Sequence, residues 1–149
     1  VVNLLGRVFI GTQDCPFRAM DQLLSEVPDL PKVIVVDMHA EATSEKEAMG
    51  WYLDGRVSVV AGTHTHVATA DARIRPKGSA YVSDLGMVGP INSVIGVEAA
   101  DVIHRFLVQT PRRLHVAKTG PLRFNSVLIE IDESTGKATA IDRVDRTLP

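Results

Sequence analysis

The sequence predicts an α/β fold built around a parallel βαβ unit, with an antiparallel β-rich tail at the C-terminus. Three observations predict it. Two β-branched runs, Lys32–Val36 and Val57–Gly62, bracket a helical segment. Both run into histidines. Beyond residue 112 the pattern changes to short apolar stretches separated by turn residues.

The elements follow in order. Residues 2–10 are rich in Val, Leu, Phe and Ile and read as a strand. Phe17, Met20, Leu23 and Leu24 fall on one helical face over 16–26, and Pro16 suits the first turn. Pro28 and Pro31 end that helix. Residues 32–36 form a continuous apolar run of the kind buried on both faces of a parallel sheet, and they lead into Asp37-Met38-His39. Ser44 followed three residues later by Glu47 is a capping-box pattern, opening a helix that runs to about Leu53 and closes at Gly55. Residues 57–62 are the next strand and deliver Thr63-His64-Thr65-His66. Residues 79–83 predict a short strand, 86–90 a Gly/Pro loop, and 98–108 a helix with Val102, Ile103, Phe106 and Leu107 on one side. The tail predicts strands at about 112–118, 122–132 and 138–145, with a hairpin turn at Ser134–Lys137.

The histidines carry the chemistry. In an extended segment residues i and i+2 point to the same side, so His64 and His66 can share a metal or an adjacent pair. A pair of surface loop histidines would read the same way. His39 tips the balance, because it ends a strand that neighbours the first at about 4.8 Å. Imidazole suits Zn, Fe, Mn, Co or Ni and does not choose among them. Asp37, Thr63 and Thr65 stand where they can orient rings through hydrogen bonds, although Asp37 is equally readable as bound to backbone. Asp84 is on a loop that can reach the same rim, and it also reads as a turn former. Glu41 reads as a loop or cap residue rather than a ligand. Lys46, Arg56, Arg73, Arg75 and Lys77 can meet a phosphate but read first as solvated cations, Trp51 and Tyr52 read as helix packing, and Cys15 as a bystander.

Composition narrows the function. With 45% hydrophobic and 23% charged residues the 149-residue chain has a globular balance, not a disordered one. A net charge of −2 argues against a dedicated nucleic-acid surface. One cysteine permits no internal disulfide and fits a reducing cytoplasm. No run reaches the ~18 apolar residues of a membrane span. The chain opens directly on a strand-like run, which predicts a cut inside a larger domain. Unpaired strand edges then predict a homo-oligomer or pairing with an N-terminal half.

Three segments in this order resemble a known family: Asp37-Met38-His39-Ala40-Glu41-Ala42-Thr43-Ser44-Glu45-Lys46, Gly62-Thr63-His64-Thr65-His66-Val67, and Ser83-Asp84-Leu85-Gly86-Met87-Val88-Gly89-Pro90. They are similar to the YmdB-like branch of the bacterial calcineurin-like metallophosphoesterases, over essentially the whole chain. The resemblance implies half of a four-layer α/β/β/α sandwich and two divalent metal ions (Fe, Mn or Zn) at the strand ends. It implies hydrolysis of phosphodiesters, cyclic nucleotides among them, with His39, His64 and His66 as metal ligands. The family's N-terminal motifs, an early Asp beside a Gly turn, a Gly-Glu-Asn and a Gly-Asn-His, do not occur here. The remaining ligands and the catalytic histidine are therefore expected in an N-terminal half, and this chain alone is expected to be inactive. Two alternatives stand beside this reading. One is an amidohydrolase-type metal hydrolase, which also uses His-x-His but needs a barrel of about 250 residues. The other is a non-catalytic assembly or regulatory module with a vestigial metal site.

Overall fold

Parallel pairing of the β-branched runs builds the centre of the molecule. The computed structural model describes residues 1–149. Its main sheet contains β1 (Val2–Leu5), β2 (Val35–His39), β3 (Val59–Thr63), β4 (Arg73–Ile74) and β5 (Ala80–Val82) in the order β1-β2-β3-β5-β4. All neighbours are parallel except β4, which runs antiparallel to β5. Helix α1 (Pro16–Glu26) connects β1 to β2, and α2 (Thr43–Tyr52) connects β2 to β3, completing the predicted βαβ unit. No helix is long and apolar enough to cross a membrane.

The two-residue period of the strands sorts side chains into two cores. Val36, Met38, Val60 and Tyr81 pack with Met20 of α1 and Met49 and Leu53 of the α2 end, all at most 1% exposed. Val59, Ala61, Ala80 and Val82 face the other way. They pack with Ala138 and with Val127, Ile129, Ile131 and Ile141 of the hairpin β8 (Val127–Asp132) and β9 (Lys137–Arg143). The layers are therefore helices, parallel sheet, antiparallel hairpin. The hairpin packs on β4 and β5. Toward β1 and β2 the same face of the sheet carries exposed Asn3 and Leu5 and half-buried Asp37 and His39. A second small sheet joins β6 (Val88–Pro90), β7 (Leu122–Phe124) and β10 (Arg146–Leu148), all antiparallel. Helix α3 (Ala99–Val108) leaves Ile103, Phe106 and Leu107 more than half exposed.

Several boundaries depart from the sequence reading, each for a local reason. The strand expected over 2–10 stops at Leu5, because the Glu45 carboxylate captures the amides of Arg7 and Val8 at 3.0–3.2 Å and turns the chain. The apolar runs slide by about two residues, so that His39 and Thr63 are the last residues of β2 and β3. Residues 122–132 split at Asn125-Ser126 into strands of two different sheets. Residues 112–118 form no strand, only a bridge between Val97 and Val116. Val88–Pro90, read as loop, is a strand at a sheet edge, where a proline costs no ladder bond. The capping box does not form. Ala42 is the N-cap of α2, and Glu47 instead binds Arg73 and Arg75, each at 2.6 Å. Arg75 is no solvated cation: it is buried against the faces of Trp51 and Tyr81, and burial pushes the Tyr81 phenol up to about 12.

Candidate metal centre

The parallel register sets His39 opposite Thr63 at the C-terminal edge of the sheet. The Thr63 hydroxyl donates to Asp37 Oδ1 at 2.7 Å, and its oxygen lies 3.0 Å from His39 Nδ1. Asn3 Nδ2 donates to Asp37 Oδ2 at 2.7 Å and fixes that carboxylate from the other side. With its one proton committed to Asp37, Thr63 must accept from His39, so Nδ1 of His39 carries the hydrogen and Nε2 keeps its lone pair. The lone pair faces His64, whose Nδ1 is 3.0 Å away, and the two rings meet edge to face. The other nitrogen of His64 lies 3.0 Å from Glu41 Oε2.

His66 is placed differently. An extended Thr63–His66 would put His64 and His66 on one side, but β3 ends at Thr63. His64 and His66 have φ of 104° and 65°, the left-handed region that costs a non-glycine residue about 1–3 kcal/mol. The backbone turns and carries His66 away to the backbone carbonyl of Ile95, which accepts from Nδ1 at 2.9 Å. The structure thus brings His39 and His64 together and leaves His66 apart. Glu41 meets the far nitrogen of His64, so no three His, Cys, Asp or Glu side chains converge on one point within this chain.

The strained segment is held by a buried ion pair that sequence reasoning passed over. Asp84 is 1% exposed; its Oδ2 accepts from Lys46 Nζ at 2.8 Å and from the Thr65 amide at 3.0 Å, and its Oδ1 accepts from the Gly86 amide at 2.9 Å. Burial alone would raise the Asp84 carboxyl, but Lys46 and the two amides outweigh it and hold it below the ordinary carboxylate range. Lys46, read as a surface cation, is itself 1% exposed. Its stem crosses β3 at Gly62, where any Cβ would run into the Ser83 carbonyl and the Lys46 chain. The Thr65 hydroxyl, expected to orient a ring, reaches no histidine; it faces Asp84, and its oxygen accepts from the Val67 amide at 3.4 Å. Arg143 of β9 ties the hairpin to this loop through the carbonyls of Thr69 and Leu85. It also pairs with Asp145, lowering that carboxyl to about 2.

Two solved structures superpose on nearly the whole of this chain. A crystal structure of a novel phosphatase from Mycoplasma pneumoniae superposes with a TM-score of 0.91 at 37% identity, over 98% of this chain and 52% of that one. A hypothetical protein from Thermus thermophilus superposes at 0.93 with 42% identity, over 99% of this chain and 57% of that one. The YmdB-like protein family matches residues 1–144, and the chain belongs to that family. The 2′,3′-cyclic-nucleotide 2′-phosphodiesterase of Bacillus subtilis (strain 168) is 49% identical over 144 residues, which is 97% of this chain and 54% of that protein. The chain spans about half the length of the curated relatives it matches.

Proposed function

We propose that this chain is the C-terminal half of a four-layer metal-dependent phosphodiesterase that hydrolyses cyclic nucleotides in the cytoplasm, and that it supplies imidazole ligands from His39, His64 and His66. The observation that carries the reading is the facing pair His39 Nε2 and His64 Nδ1, 3.0 Å apart. Two nitrogens bound to one zinc at about 2.0–2.1 Å would stand roughly 3.3 Å apart, so the pair needs only a small adjustment to share an ion. The proton inventory agrees. With an ion on its Nδ1, His64 carries its hydrogen on Nε2 and donates it to Glu41. His39 donates to Thr63, backed by Asp37 and Asn3. His66 donates to Ile95 and keeps Nε2 free. Each ring is thereby oriented by a second partner, as metal-binding imidazoles usually are.

His39, His64 and His66 would hold divalent ions, which would supply a water of lowered pKa and positive charge to offset the phosphoryl oxygens. Two ions, of Fe, Mn or Zn, need more negative charge than neutral imidazoles bring. A carboxylate ligand and the residue that would protonate the leaving oxygen are therefore assigned to the remaining length of the full protein. The exposed face of β1 and β2 and the apolar side of α3 are the surfaces on which that remainder, or a second copy, would pack.

The full-length protein is expected to hydrolyse 2′,3′-cyclic AMP only when a divalent metal is present, and residues 1–149 alone are expected not to. Thr63→Val, which removes the hydroxyl between Asp37 and His39, should weaken metal binding about 10–100-fold. Turnover that survives exhaustive chelation would overturn the proposal.

A further inference from the structure

Beside His66 lies a cleft of about 230 Å³ lined by Met87, Ile91, Ile95, Arg123 and Asn125. It is smaller than the ~300–1,000 Å³ of a drug-sized site and is mostly apolar. Three features mark it as more than a packing defect. Ile95 and Gly96 form the tight turn between Val94 and Val97, which exchange both backbone hydrogen bonds at 2.9 Å. Such a turn favours Asn or Gly at its first central position. Here a β-branched residue sits at φ 48°, a strained conformation that exposes its side chain to the cleft and aims its carbonyl at His66. Arg123, in the middle of β7, lines the cleft with a guanidinium that makes no ion pair and no hydrogen bond. Asn125 accepts from the Met87 amide and keeps the wall in place.

We propose that this cleft is the nucleobase subsite of the phosphodiester site. The inference rests on the phosphodiesterase reading above and adds to it the part of the substrate that carries no phosphorus. A heteroaromatic base fits an apolar slot, and a free guanidinium at the slot suits the π face or the carbonyl edge of a base. Because Ile95 both holds His66 through its carbonyl and lines the slot with its side chain, a seated base lies next to a candidate ligand. Base recognition and phosphate position are then set by one turn.

The test uses the full-length metal-loaded protein and two substrates, 2′,3′-cyclic AMP and the base-free 1-O-methylribose 2,3-cyclic phosphate. The wild type should show kcat/KM at least about tenfold higher for the nucleotide, most of it in KM. Ile91→Trp, which fills the slot, and Arg123→Ala, at an exposed strand position that carries little folding risk, should each reduce the nucleotide's kcat/KM at least fivefold more than that of the base-free substrate. Hydrolysis of both substrates at equal efficiency by the wild type overturns the subsite, as does a ratio that neither variant changes. Failure of the wild type to hydrolyse either overturns the phosphodiesterase reading itself, a different and separately visible result.

Discussion

Replacing His64 by alanine in the full-length protein should lower kcat/KM for 2′,3′-cyclic AMP by about 10³-fold or more, roughly 4 kcal/mol of transition-state stabilisation. His39→Ala should do the same. The size of the effect follows from the pairing: each ring presents one nitrogen to the other and is steered by a partner at its second nitrogen, Thr63 for His39 and Glu41 for His64. Losing either member breaks the same pair, so the double variant should be little worse than either single one. His64 is about one-third exposed and is not part of either apolar core, so circular dichroism and the unfolding temperature should stay close to wild type. More than a tenth of wild-type activity in either variant would contradict the assignment.

Lys46→Met should produce the largest loss of stability. The substitution keeps the stem beneath β3 and removes only the ammonium, which leaves Asp84 buried and without its counter-charge. Breaking a buried ion pair from one side typically costs about 3–5 kcal/mol. At roughly 2–4 °C per kcal/mol for a domain of this size, thermal unfolding should begin on the order of 10 °C earlier. The pH dependence has a definite sign. Asp84 has a depressed folded-state pKa, so its contribution is fully present above the ordinary carboxylate range and is lost as pH falls through the depressed value. The gap between wild type and variant should therefore be widest near neutral pH and close in acid. The same change loosens Thr65, and with it the strained His64–His66 turn, so activity should fall alongside stability. An unfolding temperature within about 2 °C of wild type at neutral pH would show that the ion pair does not hold this loop.

Much of the frame is legible in the sequence because it depends on periodicity. The β-branched runs give β2 and β3, their alternation gives the two buried faces, and the histidines at their ends mark the functional edge. What periodicity does not carry is partner choice. Lys46 looks like any helix-surface lysine until β5 brings Asp84 across from it. Glu47 completes a capping box in the sequence, yet two arginines from 26 and 28 residues away outcompete the helix terminus. Asn3 becomes part of the His39 relay only through the parallel register with Asp37. His64 and His66 do not share a side because β3 ends one residue before them, and the left-handed φ of both histidines has no signature in their residue type. Gly62 is the exception, since a glycine immediately before the histidines signals the close backbone approach that the structure shows at Ser83.

The proposed function depends on metal binding by these histidines in the complete protein. The most direct measurement is metal stoichiometry after chelation and reconstitution with Mn or Zn, read by inductively coupled plasma mass spectrometry. Wild-type full-length protein should take up two equivalents, and the His39→Ala/His64→Ala double variant at most one, weakly held. A folded double variant that retains the wild-type metal content with unchanged affinity would show that His39 and His64 are not metal ligands.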